Sequence, residues 1–254
     1  MDKDSLMRIG DKVLSKIPLL KKKAKIVAKK EVAKETLLVK FKVAEGEVNF
    51  NPGQFVFVEL PKLLYPDENG NRHHFTILNS PNEKGIISIT TRIRDTGFKR
   101  TLRELPEGTE VEVGPIAGFF TLPNDVSRPL VFIALGIGIT PYISMLRYIE
   151  EEGLKHKVTL IYSDSDEESL SYLDELKKME KKNKNFKLVV TITGKKKSGH
   201  ENRHVNADFI KDYIDNPNKC TFFVSGPPNA VESVSKSLKD AGIENVNTEN
   251  FSGY

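Results

Sequence analysis

The sequence has one cysteine, Cys220, among 254 residues. A lone thiol excludes an internal disulfide, a cysteine zinc cluster and an all-cysteine iron–sulfur site. No apolar run approaches the ~20 residues that cross a bilayer. Acids and lysines interrupt every apolar stretch near the start, so no secretory signal pattern is present, and a reducing cytoplasm is the expected compartment. No internal repeat occurs, and lysine runs are the only low-complexity feature. No metal-ligand cluster, nucleophile–base pair or paired carboxylates stand out. Formal net charge is +4, unevenly placed: residues 1–42 hold twelve lysines and one arginine against five acids, a net +8. No aromatic residues interleave with these lysines, which argues against a nucleic-acid surface. A solvated basic face or a dock for an acidic partner protein is expected instead.

Patterning divides the chain in three. Leu6, Ile9, Val13 and Ile17 stand at helical spacing before Pro18, which predicts a basic amphipathic helical extension over residues 1–24. Packing on the body is the first reading of that helix, and membrane-surface or partner docking the second. Residues 25–125 carry six short β-rich runs, "KIVAKKEVA", "ETLLVKFKV", "QFVFVEL", "HHFTILNS", "GIISITTRIR" and "TEVEVGP", separated by turn signals such as "NPGQ" and "DENGN". They predict a six-stranded antiparallel barrel. Residues 126–254 alternate strands ("LVFIAL", "VTLIYS", "FKLVVTIT", "CTFFVSG", "NVNTEN") with helical patterns at 141–151, 167–182, 206–215 and 228–241. This rhythm predicts a Rossmann-like five-stranded parallel sheet with helices on both faces.

Two strand ends are marked by glycine and proline. "GIGITP" follows the first parallel strand. Gly136 and Gly138 admit unusual backbone angles and close ligand approach; Thr140 suits an N-cap and Pro141 the first helical position. Such a loop either cradles a phosphate or simply turns a corner. "SGPP" (Ser225, Gly226, Pro227, Pro228) repeats the design, which points to a crevice at the carboxyl edge of the sheet. In the barrel half, "RHHFT" crowds Arg72, His73, Phe75 and Thr76 as a planar, phosphate-bearing ligand would require.

These motifs, in this order, resemble the ferredoxin–NADP reductase superfamily over roughly residues 25–254. "NPGQFVFV", "HHFT", "GPIAGFFTL", "GIGITP" and "SGPP" carry the likeness, with Ser225 where many members have cysteine. The resemblance implies an FAD-binding Greek-key barrel followed by an NAD(P)-binding α/β domain. It implies that Phe75 packs beside the flavin, that Thr76 hydrogen-bonds near its reactive nitrogen, and that His73, with help from Arg72, holds the diphosphate. "TRIRDTGFKRTL" is similar to the segment wrapping that diphosphate, giving Thr91, Arg92, Gly97, Phe98 and Lys99 as further cofactor residues. Gly136, Gly138, Thr140, Pro141, Gly226 and Pro227 would meet the coenzyme. Ser225 and Glu249 would lie at the hydride-transfer site, and Phe251 or Tyr254 would cover the flavin. The implied activity passes electrons from NADPH or NADH through FAD to a separate acceptor. A ferredoxin or flavodoxin suits the basic arm. A non-autonomous electron-transfer subunit, a free-flavin or ferric reductase, and a flavin-free binding module are the alternatives. Acids in "YSDSDEES" oppose a 2′-phosphate, whereas Lys195, Lys196, Lys197 and Arg203 favour one; the expectation leans to NADPH.

Overall fold

The structure is a computed structural model that describes residues 21–194 and 199–251. Residues 1–20 of the expected helical extension, Lys195 to Lys197 and Tyr254 lie outside the described residues, and the extension's last residues, Lys22 to Ala24, are strand and not helix because they pair with the first sheet.

Six strands form the first sheet: β1 Lys22–Ala33, β2 Thr36–Val43, β3 Phe55–Glu59, β4 Arg72–Thr76, β5 Ile86–Arg92 and β6 Glu110–Ala117, in spatial order β4-β3-β6-β1-β2-β5. All pairings are antiparallel. Alternation sends Val56 and Val58 inward at 0% exposure, beside Ile26, Val39, Phe41 and Ile89. The edge strands β4 and β5 curl together where Leu78 donates its amide to Ser88 O (2.8 Å) and Ser88 donates to Asn79 Oδ1 (2.7 Å).

The second sheet holds β7 Leu130–Leu135, β8 Val158–Asp164, β9 Phe186–Ile192, β10 Thr221–Gly226 and β11 Val246–Asn250, all parallel, in order β11-β10-β7-β8-β9. Every residue of β7 is buried because both faces are covered. Phe132 faces one core with Tyr142 and Phe223, and Val131 and Ile133 face the other with Phe209 and Phe222.

Helices depart from the sequence reading in three places. Helix α1, Gly97–Glu104, sits within the barrel half, where no helix is expected. Its apolar anchors are only Phe98 and Leu102, one turn apart, and its start is marked by the cap Thr96. Helix α2 runs over Thr140–Glu151 as anticipated. The pattern at 167–182 breaks into a 3-10 turn, Glu167–Ser169, and helix α3, Leu173–Lys182. At the break Tyr172 adopts a left-handed backbone (φ 63°), and its hydroxyl reaches Thr90 Oγ1 on β5 at 2.6 Å. Helix α4 shrinks to Ala207–Lys211, capped by Asn206, and α5 spans Pro228–Asp240.

Besides the Tyr172–Thr90 bond, the two sheets are tied by Ser144 Oγ to Asn79 O (2.8 Å) and by Arg92. Arg92 bonds Asp164 Oδ2 (2.6 Å) and Ser169 O (3.0 Å) on the second sheet, and Lys34 O and Thr36 Oγ1 (3.1 Å each) on the first. The pair is largely buried, with side-chain exposures of 18% and 8%. Burial raises the Asp164 pKa, and the Arg92 charge opposes that rise. Truncating Arg92 therefore strands a buried carboxylate. Arg92→Met is expected to cost about 3 kcal/mol at pH 7. Without the guanidinium the Asp164 pKa climbs further above its unfolded value, so the deficit grows as pH rises and shrinks as pH falls. Thermal melts across pH check this; a pH-independent deficit would contradict it.

Candidate functional site

A cavity of about 720 Å³ opens between the sheets. The barrel contributes Phe55, His74, Phe75, Thr76, Thr90, Thr91, Arg92, Arg94, Lys99 and Gly118 to Phe120; the parallel sheet contributes Ile137, Thr140, Pro227 and Asn247 to Phe251. Thus Phe75, Thr76, Thr91, Arg92, Lys99, Thr140, Pro227, Glu249 and Phe251, all anticipated from sequence, share one chamber. They arrive from the ends of β4, β5, β10 and β11, and from helices α1 and α2.

Other anticipated residues lie off its wall. His73 is 5% exposed, its ring packed edge-on to Phe98 (centroids 4.3 Å apart), with Nε2 3.2 Å from Gly70 O. Burial lowers its pKa, the Gly70 contact opposing. Phe98 in turn stacks behind Phe75 at 5.8 Å, so both rings buttress the wall from outside. Arg72 turns the other way, its guanidinium 4.2 Å above the Phe57 ring and its Nε 3.9 Å from Glu59. Neither residue presents a cation to the cavity.

The glycines also serve the packing of the two loops. A Cβ on Gly138 would lie 2.1 Å from Ser225 O, and one on Gly226 (φ 149°) would lie 2.6 Å from Leu135 O. The two Gly/Pro loops cross each other, and the glycines clear that crossing. Ser225 is fully buried and donates its hydroxyl to Gly138 O (2.7 Å), which fastens the crossing and keeps the side chain off the cavity wall. Gly136 (φ 60°) opens a 3-10 turn, Gly136–Ile139, that runs straight into α2. Thr140 is consequently helical (φ −58°, ψ −46°), with Ile139 at the cap position, and it donates to Ile137 O (3.3 Å). Pro141 is buried in the first turn. Gly97 is pressed by Pro66 O, 2.2 Å from where its Cβ would be, so this glycine admits a neighbouring loop.

Sequence reasoning passed over Arg94, Thr90, Phe55, His74, Phe119, Ile137, Asn247 and Thr248. Arg94 lies inside the quoted "TRIRDTGFKRTL", and its place two residues beyond Arg92 was the available signal. Phe119 is wholly exposed at the cavity.

The electrostatics are unusual at two points. Lys99 is 5% exposed, and its pKa falls to about 8, chiefly from burial, with Arg94 adding repulsion and Asp67 opposing. Glu249 goes up to about 8 through burial alone, and its Oε2 has no hydrogen-bond partner among the described residues. The cavity thus pairs a cationic wall with a protonated carboxyl, and it offers an aromatic face at Phe75 and hydroxyls at Thr76, Thr90 and Thr91. A mostly buried ammonium with no hydrogen bond or ion pair among the described residues calls for an anion. The aromatic and hydroxyl wall suits a planar polar ring. This donor set fits a flavin nucleotide. Among the described residues no helix is long and apolar enough to cross a membrane.

Comparison with known proteins agrees. Residues 23–120 match the oxidoreductase FAD-binding domain and residues 132–236 the oxidoreductase NAD-binding domain. The chain is 24% identical over 227 residues to the toluate 1,2-dioxygenase electron transfer component of Pseudomonas putida, covering 86% of this chain and 63% of that one. It is 23% identical over 224 residues to a reductase component of the terephthalate 1,2-dioxygenase of a Comamonas species, covering 87% and 64%. It therefore spans somewhat under two thirds of these curated relatives. The fold matches a cytochrome P450 reductase from Amycolatopsis with a TM-score of 0.80 at 21% identity, covering 92% of this chain and 70% of that one. It also matches the FAD/NAD binding domain of a nitric oxide dioxygenase from Vibrio cholerae, with a TM-score of 0.78 at 16% identity, covering 91% and 98%. With both domain matches in order along one chain, the protein belongs to the ferredoxin reductase-like family of FAD- and NAD-binding oxidoreductases.

Proposed function

We propose that this chain takes electrons from NAD(P)H through FAD and hands them to a separate small electron-carrier protein or oxygenase component. The observation that carries the reading is the shared chamber, in which Thr76 and Lys99 from the barrel face Pro227, Glu249 and Phe251 from the parallel sheet. Relatives named as the electron transfer component of one dioxygenase and a reductase component of another support it. Bound FAD would supply the redox chemistry, accepting a hydride and releasing electrons singly or in pairs.

The chain's own part is positioning and proton control. Phe75, braced by Phe98, offers the flat wall against which a flavin ring would lie. Thr76, buried at 6%, presents a hydroxyl there. Phe251, which lines the same chamber with its amide bonded to Gly226 O at 2.8 Å, would cover the other side of the ring. Glu249 keeps a proton at the chamber wall. The two charge runs leave the coenzyme open: Asp166 is committed to capping Ser169 (3.0 Å), and Lys195 to Lys197 lie outside the described residues.

An absorption spectrum of the purified protein reconstituted with FAD, before and after anaerobic addition of NADH or NADPH, tests the proposal. Bleaching of the flavin band is expected, and the faster coenzyme identifies the donor. A bound flavin that neither coenzyme bleaches would overturn the reductase reading. Failure to bind FAD would overturn the flavoprotein reading.

A further inference from the structure

The parallel sheet is tied to the barrel along a seam with two parts. In the first, the turn after β4 meets helix α2. Ser144 Oγ donates to Asn79 O (2.8 Å), Arg147 Nη1 to Leu78 O (3.5 Å), and Ser80 Oγ and Asn82 Nδ2 both donate to Glu151 Oε2. These residues stand off the chamber wall. In the second part, the loop between β8 and α3 meets β5. There the barrel partners are chamber wall themselves: Arg92 pairs with Asp164, and Thr90 meets Tyr172.

That loop is fixed along its length. Asp166 accepts from Ser169 N (3.0 Å), Ser171 N donates to the hydroxyl of the fully buried Tyr162 (3.0 Å), and Leu176 N donates to Tyr172 O (3.0 Å). Tyr172 lies between the last two anchors with a left-handed backbone, φ 63° and ψ 14°. A residue with a Cβ holds that conformation only where its surroundings over-determine it. Its phenol oxygen reaches Thr90 Oγ1 at 2.6 Å, and Thr90 is 5% exposed. The Arg147 guanidinium lies 5.7 Å from the Tyr172 ring centre and is itself gripped by both oxygens of Glu175, at 2.7 and 2.9 Å. Burial pushes the phenol up to about 12, with Thr90 and Arg147 opposing and Glu175 adding to the rise. The hydroxyl therefore keeps its proton through the neutral range, and the bond to Thr90 persists there.

A hydride passes between two rings only when they are held about 3–3.5 Å apart, and a misplacement of about 1 Å costs on the order of 100-fold in rate. Here one ring would rest on the barrel and the other on the parallel sheet, so the ties between the two halves set that spacing. We infer that Tyr172 is a positioning residue for flavin reduction: its hydroxyl, bonded across the seam to Thr90, fixes the separation of the two chamber walls. Tyr172 stands behind the wall and acts through Thr90. This role presupposes the reductase reading above and adds to it a residue outside the cavity.

The test is a double-mutant cycle on the full chain reconstituted with FAD, with NADH and NADPH as the probes. Tyr172→Phe keeps the ring and removes only the hydroxyl; Thr90→Val removes the other hydroxyl at constant shape. Each is expected to slow the saturating rate of flavin bleaching about 10-fold, and the double variant should be no slower than the slower single one. Tyr172→Phe should leave FAD affinity, read by fluorescence quenching in the apoprotein, within about threefold of native. Its melting temperature should stay within about 4 °C. The long-wavelength absorbance that NAD⁺ or NADP⁺ induces on the chemically reduced flavin reports ring-on-ring contact at equilibrium, and it should weaken in Tyr172→Phe. A lower melting temperature with an unchanged rate and absorbance band would overturn the assignment, leaving Tyr172 a structural role alone. Weaker FAD binding at an unchanged saturating rate would overturn it as well. So would single effects that multiply in the double variant, because the bond would then not be what acts. Failure of either coenzyme to bleach the flavin of the native chain would instead overturn the reductase reading, and this role with it.

Discussion

Glu249→Gln is expected to slow flavin reduction by NAD(P)H about 100-fold and to remove an inflection near pH 8 from its pH profile. The magnitude is that of a positioned acid–base group. Glu249 sits on β11 in register with Ser225 of β10, which places its carboxyl beside the loop crossing at the cavity wall. Burial alone moves its pKa to about 8, so the native group is protonated at pH 7 and becomes an anion above about pH 8. Glutamine copies the neutral shape but holds no exchangeable acid proton. Stopped-flow absorbance between pH 6 and 9.5 reads both effects. An inflection that survives in the glutamine variant would assign the titration to another group.

The same shift fixes a sign for stability. A carboxyl raised to about 8 in the folded chain, against about 4.3 when unfolded, binds its proton more tightly in the folded state. Its contribution is fully present below the unfolded pKa, is lost as pH rises through this window, and levels off above the folded pKa. The melting temperature of Glu249→Gln relative to the native chain should therefore climb from pH 5 to pH 8. A difference that stays flat or falls would show that the side chain is solvated when folded.

The succession of strands along the chain and the two kinds of sheet were legible because they depend on local pattern. The alternation Val56, Val58 marks a half-exposed barrel strand, and the unbroken "LVFIAL" marks a strand covered on both faces. The packing around His73, Gly138 and Lys99 was not legible, because it depends on neighbours brought from elsewhere in the chain. Phe98 draws the His73 ring away from the cavity, and Phe98 belongs to α1, a helix with too few apolar residues to announce itself. Lys99 is buried by the same helix. Arg72 has a nearer partner in Phe57 across the β3–β4 pair, on the barrel's outer side. Gly138 reads from sequence as room for a ligand; on the side where a Cβ would stand it also makes room for the Ser225 carbonyl, 87 residues away along the chain.

That last contact gives Gly138→Ala a large expected structural effect. The added Cβ would lie 2.1 Å from Ser225 O, 2.5 Å from Ser225 C and 2.8 Å from Gly226 N. All three are backbone atoms, so no side-chain rotation relieves the overlap. Ser225 cannot retreat freely, because it is paired with Ala134 of β7 on one side and Glu249 of β11 on the other. Gly226, next along, is itself pressed against Leu135. Overpacking of this kind is expected to cost about 3 kcal/mol, or about 10 °C in melting temperature for a chain of this size. The displaced loop carries Pro227 and borders Glu249 and Phe251, all on the coenzyme side of the chamber, whereas Phe75, Thr76 and Lys99 stand on the barrel. FAD binding should therefore survive better than reduction by NAD(P)H. Gly153→Ala is the control for strain without overlap: its φ is 61°, in the left-handed region that Gly138 does not occupy, and its Cβ would meet nothing within 4 Å. That control is expected to cost only about 1 kcal/mol. Calorimetry of the two variants, with flavin titrations on each, separates backbone overlap from ordinary left-handed strain. Equal melting temperatures for both variants would mean that the loop crossing yields to a methyl group, and that Gly138 is kept free for a ligand after all.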